Sequence, residues 1–151
     1  MSKVLYLSDL AKTGDTNQLA GAATCFGHFN TIHPGHVRHF RTARGHGRSL
    51  VVALEGDAQL PAPLRGNVFP ESERAQPLAA LNLVDYVVIL DNGPLEDFVQ
   101  QVDISALVLG REFEGDRATE VAPAVAAAPA RGADVIYDAG ETHYARAELL
   151  F

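Results

Sequence analysis

His33 and His36 stand three positions apart in Gly27-His28-Phe29-Asn30-Thr31-Ile32-His33-Pro34-Gly35-His36, a stretch that directly follows an apolar run and directly precedes a helical pattern. A helix N-terminus offers unpaired backbone N–H groups and the positive end of the helix dipole, and glycines let the backbone approach phosphate oxygens closely. Gly27 and Gly35 sit where that approach is needed. Two imidazoles so spaced face the same bound anion and can donate to phosphate oxygens as negative charge develops there during displacement at phosphorus. His28 lies close enough to touch the phosphate of a second substrate, while its bland reading, like that of His39, is a solvated or partly packed side chain. His46 and the flanking Arg44 and Arg48 read as polar loop residues and solvated charges. The chain contains no nucleophilic Ser or Cys arrangement, no zinc-ligand spacing and no Walker-type phosphate loop, so covalent and metal-hydrolytic chemistry have no support and no protein-built metal site is expected.

The elements around these residues must place them at one edge of a sheet. Short, nearly continuous apolar runs at 21–26, 48–54, 84–90, 104–109 and 133–137 read as strands covered on both faces, and helical patterns at 35–45, 70–82, 95–102 and 117–131 lie between them. That alternation predicts an α/β fold: a Rossmann-like open parallel sheet of about five strands with helices on both faces. Ligands of such sheets bind outside the C-terminal ends of the strands, where the strand order reverses. The first 20 residues are expected to form a short lead-in strand and helix, and the Pro/Gly-containing loop 55–69 a mobile lid. The alanine- and proline-rich stretch 122–130 reads as a helix flanked or kinked by its prolines.

Composition bounds the rest. With 151 residues and 47% apolar content, one domain spanning 1–151 is the expectation. A net charge of −7 argues against nucleic acid as a partner. Cys25 is the single cysteine and lies in an apolar run, so no intramolecular disulfide can form and Cys25 is a packing residue. No stretch reads as a signal peptide or membrane span, and a soluble protein of the reducing cytoplasm, with no membrane partner, is expected.

The stretch GHFNTIHPGH resembles the GxFDxxHxGH signature of the cytidylyltransferase-like nucleotidyltransferases. The resemblance continues through HPGHVRHFRTARGHGRSLVVAL, ESERAQPLAALNLVDYVVIL and VLGREFEGD, covering roughly residues 20–150, and includes both glycerol-3-phosphate cytidylyltransferases and heptose-phosphate adenylyltransferases. It implies that His33 and His36 stabilise the transition state and that Arg65 reaches the triphosphate from the 55–69 loop. It implies further that Gly27, His28, Phe29, Asn30, Gly35, Arg74 and the loop Gly110-Arg111-Glu112-Phe113 bind the nucleotide, with Phe113 stacking on the base or anchoring the loop. Asp57 falls on the acceptor side. The chain departs from the pattern where Asn30 replaces the signature Asp, removing a negative charge near the Mg²⁺ that accompanies the triphosphate. It departs again where a Ser/Thr-rich helix start becomes Glu141-Thr142-His143-Tyr144-Ala145-Arg146-Ala147, leaving His143 and Arg146 as donors on the acceptor side. The implied activity is transfer of CMP from CTP to a small phosphate or phosphonate monoester with release of pyrophosphate. ATP-dependent adenylyl transfer to a sugar phosphate is the alternative, and a noncatalytic nucleotide-binding module is the reading from a different class. A homodimer, or fusion to a partner enzyme in a longer bifunctional protein, fits the resemblance and the chain's end at Phe151.

Overall fold

The apolar runs assemble into one parallel sheet. A computed structural model describes residues 3–138, and its strands are β1 (Val4–Tyr6), β2 (Ala23–Gly27), β3 (Leu50–Glu55), β4 (Tyr86–Leu90), β5 (Ala106–Leu109) and β6 (Asp134–Tyr137). Their spatial order is β1-β4-β3-β2-β5-β6, and every adjacent pair is parallel. The sheet has six strands rather than about five, because the lead-in strand pairs with β4 through Val4, Leu5 and Tyr6. Lys3 fixes that edge: its ammonium donates to the carbonyl of Ala79, the last residue of helix α4 (Glu71–Ala79), and to that of Leu81 two residues on, at 2.7 and 2.8 Å. The Ala79 carbonyl lies at the helix end, where no intrahelical partner exists, and the helix stops short of the predicted residue 82.

β2, β3 and β5 are buried along their whole length, as parallel strands covered on both faces must be. Alternation assigns their side chains to two cores. Cys25, Val52, Leu54, Val87, Ile89 and Val108 pack under α3 (Pro34–Arg44) and α4, together with Phe40, Ala43, Ala75 and Leu78. Phe26, Val51, Ala53, Val88, Leu107 and Leu109 pack on the other face under α1 (Leu7–Thr13), α5 (Leu95–Gln101) and α6 (Ala118–Ala130). A short helix, α2 (Thr16–Leu19), precedes β2, and α6 runs through Pro123 and Pro129 without interruption.

The topology fixes where ligands can bind. From β2 the chain steps through α3 to β3 and through α4 to β4, all on one side, whereas β5 and β6 lie on the other side of β2. The order therefore reverses between β2 and β5, and the crevice at their C-terminal ends is bounded by the segment after Gly27 and the segment after Leu109.

Candidate functional site

Gly27 ends β2, and two residues later Phe29 takes φ 44°, the left-handed region that a bulky residue adopts only when its surroundings enforce it. Here the packing enforces it. The Phe29 ring lies over Gly27, where an added Cβ would stand 3.0 Å from the ring, and it meets Phe40 and His36 edge-on at 5.3 Å each. Phe29 is buried and acts as a pillar under His36.

His33 is the N-cap of α3, and its Nδ1 accepts the Gly35 N–H at 3.0 Å, while Nδ1 of His36 accepts the His33 N–H at 3.2 Å. The arrangement is a capping box built from histidines where Ser and Glu usually serve. Pro34 at the first helical position contributes a preset φ. Gly35 is required for the contact, since a Cβ there would stand 2.8 Å from Cε1 of His33. Because both Nδ1 atoms accept from backbone N–H groups, the proton of each neutral ring must reside on Nε2. The rings stack with centroids 3.9 Å apart and 25° between planes. Burial, followed by the neighbouring His33, His39 and His28, pushes His36 down to about 4, so it is a neutral donor at physiological pH.

Arg74 holds the surrounding loops. Its side chain is completely enclosed, with Nε donating to Phe69 O (2.7 Å), Nη1 to His28 O (2.7 Å) and Glu55 O (2.8 Å), and Nη2 to Asp57 Oδ1 (2.8 Å). Asp57 also accepts the Glu71 N–H, and Glu71 accepts the Asp57 N–H in return. Asn30 Oδ1 accepts the Phe69 N–H at 2.7 Å. Both backbone groups of Phe69 are thus fixed, and the signature loop, the end of β3 and the start of α4 form one unit.

Across the crevice, the segment after β5 makes a 3₁₀ turn, Arg111–Phe113. The Glu112 carboxylate lies over Gly110, 2.5 Å from where a Cβ would be. Phe113 is buried between Phe26 (centroids 5.6 Å apart) and the guanidinium of Arg117, 4.6 Å above its ring. Arg117 in turn grips Glu120 through two bonds, Nε to Oε2 (2.8 Å) and Nη2 to Oε1 (2.9 Å). His28 lies near this pair, half-buried, and is held low by burial and by the positive charges of Arg117 and Arg74. Among the described residues no group of three or more His, Cys, Asp or Glu is placed to hold a metal ion, and no helix is long and apolar enough to cross a membrane.

The crevice lies at the switch point, with two histidines at a helix start. The sequence profile of the cytidylyltransferase-like family matches residues 24–139, which run from the second residue of β2 through β6. The chain belongs to the cytidylyltransferase-like family. Its relatives include proteins named bifunctional protein HldE. The one from Geobacter metallireducens is 33% identical over 117 residues, 74% of this chain and 24% of the relative. That from Citrifermentans bemidjiense is 36% identical over 117 residues, with the same shares covered. The chain thus spans about a quarter of the length of the curated relatives it matches. Among solved structures, the lipopolysaccharide core biosynthesis protein from Thermoplasma volcanium shares the fold, with a TM-score of 0.60, 22% identity, and coverage of 78% of this chain and 95% of that one.

Within this cytidylyltransferase-like domain the structure brings together Gly27, His28, Phe29, Asn30, His33, Gly35 and His36 at the mouth of β2, with Gly110–Phe113 at the mouth of β5. Several expectations change. Phe113 takes the loop-anchoring one of its two expected roles, its ring enclosed against Phe26. Arg74, expected beside the nucleotide, has its guanidinium enclosed and bonded to the carbonyls of Phe69, His28 and Glu55 and to Asp57. Asp57, expected on the acceptor side, is engaged by Arg74 and Glu71. Arg65 turns back on its own loop, with Nε donating to Leu60 O at 2.9 Å, and that loop contains two 3₁₀ turns, Asp57–Gln59 and Ala62–Leu64. Arg111 pairs with Glu114 at 3.5 Å. His39, expected to be solvated or partly packed, is packed: it is buried, its Nδ1 2.7 Å from Asp138 O. Arg44 is bonded to Asp85 and Leu83 O. His143 and Arg146 lie outside the described residues.

Sequence reasoning missed Glu55, Arg117 and Glu120. Glu55 had a signal that was readable: a carboxylate closing the apolar run LVVALE falls at the C-terminal edge of a parallel strand, where ligands bind. Arg117 and Glu120 reach the site only through the packing of α6 on the sheet.

Proposed function

We propose that the chain transfers AMP from ATP to a sugar phosphate, releasing pyrophosphate. The observation that carries the reading is the stacked His33–His36 pair, whose backbone-held Nδ1 atoms put both ring protons on Nε2 at the start of α3. Donors preset at a helix N-terminus, in a crevice between β2 and β5, suit the phosphates of a nucleotide. In the reaction an anionic oxygen of the acceptor phosphate attacks the α-phosphorus, the bond from that phosphorus to the β-bridging oxygen breaks, and pyrophosphate leaves with the electron pair. The acceptor oxygen is already ionised, so no general base is required. His36, kept neutral, donates a proton in a hydrogen bond without having to release one. Mg²⁺ accompanying the triphosphate would be held chiefly by phosphate oxygens and water.

ATP is preferred over the CTP expected from the signature because the relatives are HldE proteins, which fall on the heptose-phosphate adenylyltransferase side of the resemblance. Calorimetric titration with ATP, CTP, AMP and CMP tests the donor. The reading expects ATP to bind at least about tenfold tighter than CTP, a difference of ~1.4 kcal/mol. Tighter binding of CTP would return the donor to cytidine, and binding of neither would remove the nucleotide site.

A further inference from the structure

A cavity of about 180 Å³ opens at the C-terminal ends of β3 and β4, and Glu55, Gln59, Pro61, Leu90, Leu95 and Glu120 are among the residues that line it. It is smaller than the ~300 Å³ at which sites for drug-sized ligands begin, so it suits a small fragment and not a nucleoside. It adjoins the signature loop, because one nitrogen of Arg74 binds the carbonyls of both His28 and Glu55.

Glu55 is the unusual member. It is 6% exposed, and its Oε1 is one of two buried side-chain polar atoms with no hydrogen-bond partner among the described residues. The other, on Thr24, lies within the fully buried strand β2. Burying an unpaired carboxyl costs stability, and an apolar residue of similar size would avoid the cost. The groups acting on it are Glu120, Arg117 and Arg74. Burial first, then Glu120, raises Glu55 to about 7 against the two arginines, so near neutrality it can both donate and accept. Glu120 is already matched by Arg117, and the remaining walls include Pro61, Leu90 and Leu95. Such a cavity offers a full cation little compensation, whereas an uncharged hydroxyl on a carbon skeleton satisfies both the carboxyl and the apolar walls.

We propose that Glu55 is a specificity-determining residue for the acceptor: in the cavity at the ends of β3 and β4 its carboxyl hydrogen-bonds an uncharged hydroxyl group on the part of the acceptor remote from its phosphate. This rests on the transfer reading above. Pentose, hexose and heptose 1-phosphates are compared with cyclohexyl phosphate, which carries the phosphate on a ring without hydroxyls, using wild-type protein, Glu55→Gln and Glu55→Leu. Glu55→Leu is expected to raise the KM for the preferred sugar phosphate by about ten- to a hundredfold, to leave the KM for cyclohexyl phosphate and the ATP Kd within about twofold, and to melt higher than wild type. Glu55→Gln, which keeps a donor and an acceptor, recovers most of the sugar preference. Independently of turnover, the ¹³C carboxyl resonance of Glu55 in wild type shifts when the sugar phosphate is added and stays still with cyclohexyl phosphate. If Glu55→Leu discriminates between the two acceptor types as wild type does, or if the resonance fails to move with any sugar phosphate, the assignment is overturned. If no acceptor releases pyrophosphate in wild type, the transfer reading fails, and the carboxyl resonance alone decides whether the cavity takes hydroxylated ligands.

Discussion

Replacing Arg74 with Met tests whether the site is assembled by one buried guanidinium. The substitution keeps most of the aliphatic stem and removes four hydrogen bonds, three to the carbonyls of His28, Glu55 and Phe69 and one to Asp57. Each charge-assisted bond contributes ~1.5–3 kcal/mol net, but the sum overstates the loss. The more exposed carbonyls and Asp57 regain water, and the variant no longer has to desolvate a cation. The Glu55 carbonyl, whose bond is buried, loses its partner outright. A net loss of about 3–5 kcal/mol follows: ~1–3 kcal/mol for the unsatisfied buried carbonyl and ~0.5–1.5 kcal/mol for each of the other bonds, less the desolvation no longer required. At ~2–4 °C per kcal/mol for a chain of this size, melting falls by roughly 6–20 °C. Urea unfolding with an unchanged m-value measures the loss, and Arg74→Lys recovers less than half of it because one ammonium cannot span carbonyls on separate segments. Nucleotide affinity falls as a consequence of loosened loops. A loss below about 1 kcal/mol, or a large drop in nucleotide affinity at unchanged stability, would refute the structural role and make Arg74 a direct ligand contact.

The other expectations concern the crevice itself. His33→Ala and His36→Ala each lower turnover on the order of 10²-fold while changing nucleotide Kd much less, as steady-state kinetics with calorimetry will show; wild-type turnover in both variants removes them from the chemistry. His36 is expected to titrate near 4 in the ligand-free protein, with the neutral ring protonated on Nε2, and imidazole NMR is the measurement that checks it. Because its folded value lies below its ordinary 6.5, the unfolded chain binds the proton first. Its contribution to stability is therefore complete above about pH 6.5 and lost as the pH falls through about 4; a midpoint at or above 6.5 contradicts the burial argument. Arg65→Ala slows transfer, and ATP with Mg²⁺ suppresses proteolysis within 55–69 as Arg65 leaves Leu60 for the phosphates; cleavage at equal rates with and without ligand counts against a lid.

The fold was legible where burial leaves a continuous apolar run, as in β2, β3, β4 and β5, and the histidine site was legible because His33, Gly35 and His36 are local in sequence. β1 was harder to count, being a three-residue edge strand only partly buried. The end of α4 was not readable, because the Lys3 ammonium that satisfies its last carbonyl comes from the far end of the chain. Periodicity does not say whether a guanidinium turns inward, so Arg74 read as a ligand contact when its partners are carbonyls from three separate segments. Phe113 sits among charged neighbours in sequence yet is covered by Phe26 and Arg117. The cavity around Glu55 draws on β3, β4, α5 and α6, and only the strand order brings them together.

The central claim is that the His33–His36 crevice moves a nucleotidyl group from ATP to a sugar phosphate. Phosphorus-31 NMR of one reaction containing protein, Mg²⁺, ATP, CTP and a panel of sugar 1-phosphates follows both donors and the product together. Pyrophosphate and the paired doublets of an ADP-sugar are expected to appear as ATP declines, with CTP untouched and no product in the His33→Ala/His36→Ala double variant. Consumption of CTP in place of ATP would contradict the donor, and an unchanged spectrum with every acceptor, despite tight ATP binding, would contradict transfer itself.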